Sequence, residues 1–150
     1  MPDHTDITAY LRANPVAVLG TVGPDGTPHG AAVYVCFTAA DQLYFVTKTE
    51  TQKFRNLQQN PRVSITIVNS AANSTLQAGG QAHVVRDNAA LIDLVMTKLA
   101  AIHAEAPDRL PPISKLRAGA YQMVGIKLDH VRLAQFKAQP IGGEGIFREG

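Results

Sequence analysis

The chain is predicted to be mainly β, a barrel or sandwich with flanking helices, on three observations. Short runs rich in β-branched and aliphatic residues recur along it. Turn-forming clusters separate them, among them Gly23-Pro24-Asp25-Gly26, Ala39-Ala40-Asp41-Gln42 and Asn69 to Ser74. The regular strand–helix alternation of a parallel doubly wound sheet is missing.

The elements follow in order. Ile7 to Arg12 reads as a short helix ended by Asn14-Pro15, because a residue before proline avoids helical angles. Val16 to Val22 reads as a strand, and Thr27 to Phe37 as its returning partner across the Pro-Asp-Gly turn. Leu43 to Thr47 is a third strand. Glu50 to Gln59 is a short helix, with Thr49 as its cap, Gln52 completing a capping box, and Phe54 and Leu57 on one face. Val63 to Val68 is a fourth strand. Thr75 to Val85 is a long fifth, whose Gly79-Gly80 pair predicts a bulge, a bend or a close backbone approach. Asp87 or Asn88 caps a helix from Ala89 to Ala104, with an apolar stripe of Leu91, Ile92, Val95, Leu99 and Ile102. Pro107 to Pro112 reads as a loop. A sixth strand covers Tyr121 to Leu128, with a continuation through Val131 to Phe136. Residues 142–150 read as a flexible, glycine-rich tail.

Length and composition bound the function. The 150 residues predict one domain, and 45% apolar residues suffice for a core. No apolar run approaches the ~20 residues of a membrane span. The opening MPDHTDITAY is acidic and polar, unlike a signal peptide, which predicts a cytoplasmic protein. A formal charge of +2 without a basic, aromatic-interleaved stripe argues against nucleic-acid binding. Cys36 is the one cysteine and sits in an apolar strand, so a buried inert thiol is expected. The five histidines show no metal-ligand spacing; His29, just after the first turn, is the one to test. Nucleophile-elbow and cysteine–histidine signatures are missing.

Chemistry concentrates between the third strand and the next helix. Thr47 ends the strand, Thr51 and Gln52 open the helix, and Lys53 follows. Hydroxyls, an amide, an ammonium and the unpaired N–H groups of a helix start converge where an anion such as phosphate is stabilised. The bland alternative is a capped helix with solvated lysines.

Three stretches, GTVGPDGTPHGAAVYVCF, LYFVTKTETQKFRNLQQNPRVSI and STLQAGGQAHVV, resemble the pyridoxamine 5'-phosphate oxidase-like family of FMN-binding split β-barrels. The resemblance covers roughly Pro15 to Val85, plus the strand at Tyr121. It implies a split barrel of about six strands, a homodimer with FMN at the subunit interface, and flavin-dependent oxidation or reduction of an unidentified small molecule. It assigns Val33, Tyr34 and Val35 to the flavin ring and Val46, Thr47, Thr51, Gln52 and Lys53 to the cofactor and its phosphate. Thr75 aligns with a strand glutamine of the oxidase, and Gln77, two residues on, is its replacement on the same face. Gln52 stands where the oxidase has an arginine, Ala31 and Cys36 stand at its basic positions, and the chain has no tryptophan. These departures imply a divergent relative rather than the vitamin B6 oxidase. F420- and haem-binding relatives, and a non-catalytic flavin module, are the alternatives.

Overall fold

The computed structural model describes residues 2–103 and 121–136. The expected loop at Pro107 to Pro112 and the tail 142–150 lie outside them. The elements are α1 (His4–Ala13), β1 (Val16–Val22), β2 (Pro28–Tyr34), β3 (Cys36–Ala39), β4 (Gln42–Lys48), α2 (Gln52–Gln59), β5 (Arg62–Asn69), β6 (Ser74–Val84), α3 (Ala89–His103) and β7 (Tyr121–Gln135). The seven strands form one sheet in the order β2-β1-β5-β6-β7-β4-β3. Every neighbouring pair is antiparallel.

Strand order explains the shape. β2 and β3 occupy opposite edges of the sheet, yet only Val35 separates them in sequence. One residue advances the chain by about 3.8 Å. The sheet therefore curls until its two edges meet at Val35, whose N–H donates to the Pro15 carbonyl at 2.8 Å. Away from that corner no ladder joins β2 to β3 or β4, so the barrel is split.

Two expectations change here. The single strand over Thr27 to Phe37 is two strands, because its first part completes a ladder with β1 and its last part pairs with β4. An unbroken apolar run carries no signal of that division, so seven strands form rather than six. The cap of α2 is Thr51, not Thr49. Its N–H and hydroxyl both donate to the Lys48 carbonyl, at 3.3 and 2.9 Å. That turn consumes the residues expected to start the helix, so Gln52 is its first residue and makes no capping box.

Alternation along each strand sorts residues to the two faces. Leu19, Leu43, Phe45, Ile65, Leu76 and Ile126 are fully buried inside the barrel. α1 adds Ile7 and Leu11, and α2 adds Phe54 and Leu57 on the face its spacing predicted. A second, smaller core lies on the other side of β3, β4 and β7, where Cys36, Tyr44 and Met123 meet Val95 and Leu99 of α3. Asn88 caps α3, accepting from the Leu91 N–H at 3.1 Å. Among the described residues nothing covers the outer face of β1 and β5, where Val16, Val18 and Val68 are exposed.

Burial pushes the Cys36 thiol up to about 11, so it is un-ionised near neutrality. The ladder of β6 with β7 shifts register between Gly79 and Gly80. A Cβ on Gly80 would fall 2.1 Å from the Lys127 carbonyl oxygen. Gly80→Ala therefore forces two backbones apart at the bulge. We expect a loss of roughly 1–3 kcal/mol in urea unfolding; an unchanged midpoint would show that the bulge is not closely packed.

Candidate functional site

β4 delivers the chain to the rim of the split, and α2 starts there. Thr47 is buried at the strand end, and its hydroxyl shares a hydrogen bond with that of Thr51 at 3.1 Å. Thr51 also accepts from the Phe54 N–H at 3.4 Å. These hydroxyls hold the turn together. The Gln52 side chain is engaged too: Nε2 donates to Asn56 Oδ1 at 2.7 Å, and Oε1 accepts from Arg55 Nη2 at 2.9 Å. Arg55 Nη1 donates in turn to the Glu50 carbonyl at 2.6 Å.

What remains uncommitted is narrower than the sequence suggested. The backbone N–H groups of Gln52 and Lys53, the first two of α2, have no intrahelical acceptor. Lys53 is partly buried, no carboxylate pairs with it among the described residues, and burial lowers its pKa. A cation desolvated without a counter-ion gains when an anion arrives. Two orphan donors and one ammonium at a helix start make a site for a single phosphate-sized anion.

Across the split lies β2. Val33 and Val35 send their side chains into the core, Tyr34 is partly buried, and Val46 of β4 packs toward the α3 side. The bonds from Gly23 N–H to Thr27 O (2.9 Å) and from Val35 N–H to Pro15 O bracket the β1–β2 ladder. Antiparallel pairing alternates, so residues 29, 31 and 33 turn their peptide groups to β1. Gly30 and Ala32 turn theirs to the open edge. Backbone donors toward the split therefore come from these even-numbered positions, while Val33 and Val35 are spoken for.

Thr75 and Gln77 are not brought to this corner within the chain. Two strands separate β6 from β2, and one separates it from β4. Thr75 is buried and donates to the Ile67 carbonyl at 2.8 Å, whereas Gln77 is exposed on the outer face.

The sequence did not single out Asn56 and Thr21, each 2% exposed. Asn56 Nδ2 donates to Thr21 Oγ1 at 3.1 Å, tying α2 to β1. The signal was available: Ala17, Leu19 and Thr21 share the inward face of β1, and a hydroxyl there needs a partner. Beside this pair a cavity of about 400 Å³ opens between α2 and the β1–β2 turn, lined by Gln52, Asn56, Asp25 and His29 among others. Among the described residues no three His, Cys, Asp or Glu side chains converge as metal ligands. No helix among them is long and apolar enough to cross a membrane.

Solved structures share this architecture at low identity. The heme storage protein HutZ from Vibrio cholerae is 17% identical with a TM-score of 0.68, over 89% of this chain and 94% of that one. A pyridoxamine 5'-phosphate oxidase-related, FMN-binding protein from Nostoc punctiforme is 16% identical with a TM-score of 0.60, over 90% and 81%. An F420 reductase is 22% identical with a TM-score of 0.61, over 88% and 98%. No curated protein matches the chain. The family model described as pyridoxamine 5'-phosphate oxidase matches residues 4–134, so the chain belongs to the pyridoxamine 5'-phosphate oxidase-like split-barrel family.

Proposed function

We propose that this protein binds FMN and acts as a flavin-dependent oxidoreductase on a small molecule, as a homodimer. The observation that carries the reading is the partly buried Lys53, without a carboxylate partner among the described residues, beside the two orphan amides of α2. The residues fit the group. The phosphate takes the amides and the ammonium, and the Gly30–Ala32 edge offers peptide groups to the polar rim of a flat ring. FMN supplies the hydride and electron transfer, while the chain binds, orients and screens from water. That division of labour explains why a general base is not needed among these side chains.

The outer face that no described residue covers supports the dimer. Val16, Val18 and Val68 are exposed together on β1 and β5, and Phe136 follows at the end of β7. A cluster of this kind suits burial against a second copy. In the dimer the partner's β6 face would lie near the split, and Gln77 would reach the cofactor from across the interface rather than from its own chain.

Purified protein given FMN should retain it through dialysis, lose its yellow colour with an electron donor and regain it in air. Retention without turnover of the donor would leave a flavin module that is not an enzyme. Lys53→Ala removes one charge-assisted bond, worth about 1.5–3 kcal/mol, and should weaken FMN binding roughly ten- to hundredfold. An unchanged dissociation constant by fluorescence quenching would remove Lys53 from the site. Val18→Lys should convert a particle of twice the chain mass in light scattering into a monomer; a variant that stays dimeric would place the interface elsewhere.

A further inference from the structure

Gln52 and Asn56 stand four residues apart on α2 and therefore share one side of the helix. Their side chains belong to a relay of hydrogen bonds whose ends lie on different elements. Arg55 Nη2 donates to Gln52 Oε1 at 2.9 Å, Gln52 Nε2 donates to Asn56 Oδ1 at 2.7 Å, and Asn56 Nδ2 donates to Thr21 Oγ1 of β1 at 3.1 Å. Arg55 is fixed in turn by the Glu50 carbonyl at 2.6 Å.

The direction of the relay is set at the Arg55 end. A guanidinium donates and cannot accept. Gln52 must therefore turn its oxygen to Arg55 and its nitrogen to Asn56. Asn56 must then turn its oxygen to Gln52 and its nitrogen to β1, so the last group has to accept. Thr21 supplies that acceptor from the inward face of β1, where the other buried side chains, Ala17 and Leu19, carry no polar atom. A valine at 21 would keep the shape and leave the Asn56 amide without its partner in a place closed to water.

Phe54 and Leu57 hold α2 against the core, but apolar contacts have no preferred direction. Hydrogen bonds do. The relay resists a turn of the helix about its axis. It acts on Gln52, the first helical residue, whose N–H is one of the two at the corner without an intrahelical acceptor. We propose that Thr21 is a positioning residue for the anion site. It touches no ligand; through Asn56 and Gln52 it aims the first amides of α2 and the neighbouring Lys53 ammonium. The inference rests on the flavin-phosphate reading and adds to it a residue from a different element.

The test titrates cofactor-stripped protein with FMN and with riboflavin, which lacks the phosphate, and follows flavin fluorescence. Thr21→Val and Thr21→Ala both remove the oxygen, one filling its space and the other leaving it empty. Each should weaken FMN binding about three- to tenfold, the weight of one net hydrogen bond, and keep riboflavin binding within about twofold of the wild type. Thr21→Ser keeps the acceptor and should restore the preference for FMN. A merely structural role would weaken both flavins alike. That result, or an FMN affinity unchanged in both variants, overturns the inference and leaves the phosphate reading standing. Failure of Thr21→Ser to recover the preference also overturns it. A wild type that binds riboflavin as tightly as FMN, or binds neither, overturns the phosphate reading and the inference with it.

Discussion

The fold depends on a topological constraint at Val35. Strands at opposite edges of a seven-stranded sheet are consecutive in sequence and separated by one residue. A flat sheet would hold those edges several strand widths apart, at about 4.8 Å per strand. Curling is therefore obligatory, and it encloses the core of Leu19, Phe45, Ile65 and Ile126. It also sets β2 beside β4 without a ladder between them. The split is thus a product of connectivity, and among the described residues no strand pairs with the edge of β2 that it leaves near a helix start. Edges usually carry an aggregation risk. Here the edge faces its own barrel across a narrow gap, where a ligand can use it.

Positioning at that gap comes from buried polar contacts. Thr21, Asn56, Gln52 and Arg55 form a chain of side-chain hydrogen bonds running from β1 across α2 to its first turn. Asn56 and Thr21 are nearly inaccessible. Breaking either end leaves a buried polar group unsatisfied, at about 1–3 kcal/mol. The chain fixes the rotation of α2 about its axis, and hence the direction of its free amides. A site on a rigidly held helix start binds without reorganisation, which is where affinity is most easily lost. The threonine hydroxyls work in the same sense: they shape the turn that aims the amides.

Much of this was legible in the residues. Turn chemistry placed the ends of β1 and the start of α3, because proline, glycine and asparagine constrain the backbone locally. The Gly79-Gly80 pair announced the bulge of β6 for the same reason. The division at Val35 was not legible. Both halves of that run are apolar, and only the partner strands decide where the ladder changes. The cap at Thr51 was hidden by three threonines in five residues, each a fair candidate. Sequence reveals which groups are polar and not which are already bonded within the chain. Thr47, Thr51, Gln52 and Thr75 all carry the right atoms, yet each has a partner within the chain. Lys53 stands out only once burial and the lack of a carboxylate are seen together.

The departure at Gln52 then takes on physical meaning. An arginine there would place a second cation at the helix start. Here Gln52 turns instead toward Asn56, and the guanidinium sits three residues on at Arg55, bound to the Gln52 amide and the Glu50 carbonyl. Positive charge is kept near the first turn but held back by neutral groups. The field on an anion is correspondingly softer, because Coulomb energy falls with distance and intervening dipoles. A corner with one direct cation holds a lone phosphate less firmly than one with two. An anion bound there would lean more on neutral contacts, such as the peptide groups along the open edge of β2. Glutamine in place of a cation would thus weaken an attraction common to every phosphate and leave selectivity to groups that recognise what the phosphate carries.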